Sequence, residues 1–65
     1  MKGVVIEMDD GEKEIFENNS GFEYNYKIEG GCAIVTRTAL KDGDDCPEQW
    51  ALFAADAWAS ARYID

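Results

Sequence analysis

The stretch from Phe22 to Ala39 constrains the fold more than any other part of the chain. Phe22, Tyr24, Tyr26 and Ile28 alternate with Glu23, Asn25, Lys27 and Glu29 without a fault, and Gly30-Gly31 follows before Cys32 to Ala39. A period of two is what a strand with one buried face requires, and paired glycines supply the positive φ of a two-residue hairpin turn. The register follows from the turn. Ile28 faces Ala33, Tyr26 faces Val35, Tyr24 faces Arg37 and Phe22 faces Ala39, so both strands place their apolar set on one side. The other side reads Glu23, Asn25, Lys27 and Glu29 with Cys32, Ile34, Thr36 and Thr38.

A second hairpin is predicted at the N-terminus. Val4, Ile6 and Met8 alternate with Val5, Glu7 and Asp9, then Asp10-Gly11 offers a two-residue loop before the chain returns through Ile15 and Phe16. With that loop, Ile6 faces Ile15, Val4 faces Glu17 and Glu7 faces Glu14, a mildly unfavourable like-charge pair. One face carries Val4, Ile6, Met8 and Ile15; the other carries Val5, Glu7, Glu14 and Phe16. Asn18-Asn19-Ser20-Gly21 is a turn by composition and joins the two hairpins.

Beyond the loop Lys41-Asp42-Gly43-Asp44-Asp45 the pattern changes. Cys46-Pro47-Glu48-Gln49 has proline at a first helical position and acid in a first turn, and Trp50, Phe53, Ala54, Ala57, Trp58 and Ala61 recur at helical spacing. Arg62 suits the negative end of the helix dipole. The expected fold is a single α+β domain over residues 1–65: an antiparallel β-meander of about four strands with one C-terminal α-helix packed on one face. In that arrangement Cys32 and Cys46 stand at opposite ends of the fourth strand, on the order of 25 Å apart, so two free thiols are expected.

Sixty-five residues leave a core worth only a few kcal/mol of net stability and little space for a catalytic cleft. There is no histidine to serve as a base, and Ser20 and Ser60 have no lysine near them in sequence. Two distant cysteines do not make a zinc site. Asp42-Gly43-Asp44-Asp45 with Glu48 bunches carboxylates, but an EF-hand is excluded: Cys46, Pro47 and Phe53 stand where its fifth, sixth and twelfth positions would fall. No enzyme activity, cofactor or metal is expected. No apolar run approaches the roughly 20 residues of a membrane-spanning helix, and the chain reads as soluble and cytoplasmic.

What remains is charge. Fourteen Asp and Glu against six Lys and Arg give a net charge of −8, which argues against direct contact with nucleic acid or anionic membranes and for a basic partner. The candidate partner-binding residues are Glu7, Asp9, Asp10, Glu12, Glu14, Glu23, Asp42, Asp44, Asp45 and Glu48. On a sheet, neighbouring side chains stand about 5 to 7 Å apart, comparable with phosphate spacing along a nucleic-acid strand. The same array serves solubility.

In size, acidity, absence of catalytic residues and self-contained fold the chain resembles the small anti-CRISPR proteins of phages and mobile elements, several of which mimic nucleic acid. The resemblance covers the whole chain in character and no stretch in motif. It implies a non-enzymatic inhibitor that occupies the basic nucleic-acid-binding surface of a defence complex, most simply as a monomer. The alternative is a homodimeric assembly module joined through Val5, Phe16 and Ile34 on the open sheet face.

Overall fold

The Gly30-Gly31 hairpin forms as its alternation predicts. In the computed structural model, which describes residues 2–40 and 46–65, six strands follow one another: β1 (Gly3–Met8), β2 (Lys13–Glu17), β3 (Phe22–Glu29), β4 (Cys32–Ala39), β5 (Glu48–Phe53) and β6 (Trp58–Ile64). β3 and β4 pair antiparallel with Phe22 opposite Ala39 and Ile28 opposite Ala33, the register expected from the turn. Asp42, Asp44 and Asp45 lie outside the described residues.

The N-terminal hairpin is slipped by one residue from the expected register. Val4 pairs with Phe16, Val5 with Ile15, Ile6 with Glu14 and Glu7 with Lys13. The turn is the cause. Gly11 N–H donates to Met8 C=O and Met8 N–H to Glu12 C=O, which leaves three residues, Asp9, Asp10 and Gly11, in the loop, with Gly11 at φ 92°. A turn followed by a left-handed glycine is the three-residue alternative to the two-residue loop, and the one extra residue turns every β2 side chain to the opposite face. Phe16 thereby joins the core and Ile15 is exposed. Glu7 gains a lysine across the ladder in place of a glutamate.

The expected α+β meander is not what the chain forms. The structure is all-β, two three-stranded antiparallel sheets ordered β2-β1-β6 and β3-β4-β5, and residues 48–64 are two strands and a turn where a helix was expected. β2 and β3 belong to different sheets, and the asparagine turn is the corner between them. Asn19 Oδ1 accepts from the N–H groups of Gly21 and Phe22 at 2.8 and 3.0 Å, and Asn18 Oδ1 from Tyr24 N–H at 2.7 Å.

The reason is burial. The apolar face of β1 and β2 covers the apolar face of β3 and β4 directly, so no face remains for a helix, whereas the second edges of β1 and β4 each need a partner. β6 pairs with β1 and β5 with β4. Val4, Ile6, Ala33 and Val35 are fully buried, and Met8, Phe16, Tyr24, Tyr26, Phe53 and Trp58 pack around them. The molecule measures 36 × 23 × 13 Å, thin enough that few other residues are inside. Cys32 and Cys46 form no disulfide, Cys32 standing at the start of β4 and Cys46 two residues before Glu48, which pairs with Arg37 toward the far end of β4.

Side chains join the two sheets along β3 and β6. The Tyr26 hydroxyl donates to Ala61 C=O at 3.3 Å, and the Tyr63 hydroxyl meets the backbone N–H and C=O of Tyr26, each at 3.4 Å. The two tyrosine rings lie 4.7 Å apart between centroids. Each hydroxyl covers a backbone group that a third neighbouring strand would otherwise occupy.

Candidate functional site

Three turns converge at one end of the sandwich. Asp9 N–H donates to Ala57 C=O at 3.3 Å, which ties the β1–β2 loop to the β5–β6 turn, and the Trp58 indole donates to Gly31 C=O at 3.0 Å, which ties β6 to the β3–β4 turn. The convergence gathers Asp9, Asp10, Glu12, Glu29 and Asp56, all exposed. Glu29 pairs with Lys27 at 3.2 Å. Among the described residues no Lys or Arg lies within ion-pair distance of Asp9, Asp10, Glu12 or Asp56. Asp10 has a local task as well, because its Oδ1 accepts the Glu12 N–H at 2.9 Å and fixes the loop.

The remaining candidate acids are scattered. Glu7 and Glu14 fall on opposite faces of their sheet, since Glu14 pairs with Ile6. Glu23 sits on β3 in the other sheet, within 3.5 Å of the Asn25 amide. They do not form one acidic face. Asp56 was not anticipated, because a helical reading of its segment places it far from Asp9.

Glu48 is already engaged. Its Oε1 accepts from Nε and Nη2 of Arg37, and the guanidinium lies 4.0 Å from the Phe22 ring centroid and 3.7 Å from that of Trp50. The Glu48 hydrogen bond holds the Arg37 pKa above its ordinary value. This cluster closes the end of β4 and β5 opposite the three turns. It depends on a β-bulge: Val35 pairs with Ala51 but Thr36 with Gln49, which makes Trp50 the extra residue.

The open outer face of the β2-β1-β6 sheet holds a groove of about 840 Å³, lined by Val5, Ile15 and Ile64 with Lys2, Arg62 and Glu17 at its margins. Charges of both signs border it. Val5 lies at the floor of this groove, only 6 % exposed, Phe16 turns inward with its ring centroid 5.7 Å from that of Tyr24, and Ile34 belongs to the other sheet, so the interface expected through Val5, Phe16 and Ile34 does not exist as one patch. Ile34 instead pairs with Leu52, which is 52 % exposed. Among the described residues no group of three or more acids or cysteines is placed to hold a metal, and no helix is long and apolar enough to cross a membrane. No protein-family model, curated protein or solved structure matches the chain.

Proposed function

We propose that this chain is a non-enzymatic inhibitor that presents acid to the basic nucleic-acid-binding surface of a host defence complex in the bacterial cytoplasm, with a CRISPR effector as the first target. The observation that carries the reading is the turn end of the sandwich. Four exposed carboxylates, Asp9, Asp10, Glu12 and Asp56, come from two turns that the backbone holds together, and no lysine or arginine of the described chain neutralises them. A rigid group of uncompensated charge is what competes with phosphate for a basic groove, and the −8 of the whole molecule steers the encounter.

The test is capture of purified CRISPR effector complexes on the immobilised protein, washed in low and high salt and challenged with duplex DNA. Retention at low salt and release by salt or DNA is expected. The variant Asp9→Lys, Glu12→Lys, Asp56→Lys should abolish capture, with Asp10→Asn added because asparagine keeps the carbonyl that caps the loop. Reversal of Asp42, Asp44 and Asp45 is made separately. Capture that survives both sets of reversals overturns the proposal.

A further inference from the structure

A sheet edge exposes backbone donors and acceptors that another chain can use, and proteins cover or charge the edges they do not use. Three of the four edges here are managed. β3 has the N–H groups of Phe22, Tyr24 and Tyr26 taken up by Asn19, Asn18 and the Tyr63 hydroxyl, and its remaining outward position, Ile28, is flanked by the charges of Lys27 and Glu29. β6 has its Ala61 carbonyl bonded by Tyr26. β2 is only five residues long and carries Lys13, Glu14 and Glu17. β5 differs. From Gln49 to Ala55 the chain has no charge, Trp50 and Leu52 are 47 % and 52 % exposed, and among the described residues nothing pairs with its outer side.

The ladder identifies which groups point outward. The two-residue turn makes Glu29 and Cys32 a hydrogen-bonded pair, so Ala33 and Val35 direct their backbone toward β5 and bond Phe53 and Ala51. Leu52 between them therefore turns its N–H and C=O outward. Its side chain lies beside Ile34 on the outer face.

From this we infer that β5 is a docking edge for an extended, positively charged segment of the partner, which adds a fourth strand to the β3-β4-β5 sheet through Leu52. An apolar residue of that segment would extend the Ile34–Leu52 row. Basic residues flanking it would meet Asp56, exposed at the end of the neutral run, and the Asp9 and Asp10 loop tied to the same turn. Charge selects this occupant over a second copy: two chains of −8 repel, and a symmetric contact limited to one short strand buries less than a stable dimer requires. The edge depends on the basic-partner reading above and names where that partner's backbone binds.

The experiment is an amide-resolved NMR titration with a capped heptapeptide of alternating lysine and valine. Controls are alternating lysine and glycine, of equal charge but poor strand propensity, and alternating glutamate and valine. Shifts at Gln49 to Phe53 and slowed exchange of the Leu52 amide are expected with the first peptide only. Leu52→Pro removes the outward N–H without touching the β4 ladder and should weaken binding at least about tenfold, while Leu52→Thr keeps that N–H and should stay within about threefold. Unchanged amide dispersion in each variant confirms its fold. The inference is overturned by shifts confined to Asp9, Asp10 and Asp56, by equal binding of the lysine–glycine peptide, by indifference to Leu52→Pro, or by no binding. In the capture assay, a Leu52→Pro protein that still holds the effector while acid reversal releases it sinks the edge alone. Capture indifferent to acid reversal sinks the proposed function.

Discussion

Gly3 is the residue whose replacement the backbone tolerates least. It sits between β2 and β6 at φ 151°, and a Cβ there would lie 2.2 Å from the Phe16 carbonyl oxygen. Two penalties combine, a conformation that L-residues rarely adopt and an overlap with rigid backbone. Gly3→Ala is expected to cost about 3 kcal/mol or more, most of what a domain of this size possesses, and chemical denaturation will measure it. A loss below about 0.5 kcal/mol, the ordinary surface value, would mean that the strand bends differently from the geometry described. Arg37 makes a different kind of claim. Arg37→Lys keeps the charge but cannot stack as a plane or bond Glu48 through two nitrogens. In a Trp58→Phe background, where Trp50 is the remaining indole, its emission should move to the red as water replaces the guanidinium; an unmoved spectrum contradicts the stacking.

Register is a property of the element, and the β1–β2 hairpin offers a sharp test of it. Phe16 faces Tyr24 and Phe53, at 5.7 and 6.4 Å between centroids, whereas Ile15 is 56 % exposed. Phe16→Ala should therefore cost about 2–4 kcal/mol and Ile15→Thr less than about 0.5 kcal/mol in equilibrium unfolding. The two-residue loop would reverse that order, because it puts Ile15 inside and Phe16 outside. β5 and β6 teach the complementary lesson. Each carries a bulge, at Trp50 and at Ala59, and a bulge changes the parity of the alternation partway along a strand. The period of two is erased, and what is left among so many alanines matches a helical stripe. Aromatic residues that suit strands, Trp50, Phe53, Trp58 and Tyr63, were the countervailing signal.

At the scale of the whole molecule, a thin sandwich holds a −8 surface with a core of five buried apolar residues among those described. The margin is small. Ile6→Ala, which deletes atoms from a fully buried site, is expected to cost about 2–5 kcal/mol and leave much of the population unfolded at 25 °C, whereas Ile6→Val costs about 1 kcal/mol. Self-repulsion adds a dependence on salt. Raising sodium chloride from about 20 mM to about 500 mM shortens the screening length from about 20 Å to about 4 Å, and the melting temperature should rise with it. A melting temperature that falls would show that ion pairs such as Lys27–Glu29 and Arg37–Glu48 outweigh the net charge.

Local chemistry alone determined the β3–β4 hairpin, because its turn and its alternation both lie within adjacent residues and agree. It also determined the abundance of acid, and the turn residues Asp9 and Asp10 at one end. Tertiary structure decided the rest. A one-residue choice between two permissible turns settled which face of β2 is buried, and that choice belongs to Phe16 finding Tyr24 and Phe53 across the core. The fate of residues 48–64 was settled by two unpaired edges some distance away in sequence, whose hydrogen-bonding groups outweighed the helical preference of the alanines. For the same reason Asp56 joined the acidic end and Leu52 came to an open edge. Long-range pairing sets such positions, and no local pattern records it.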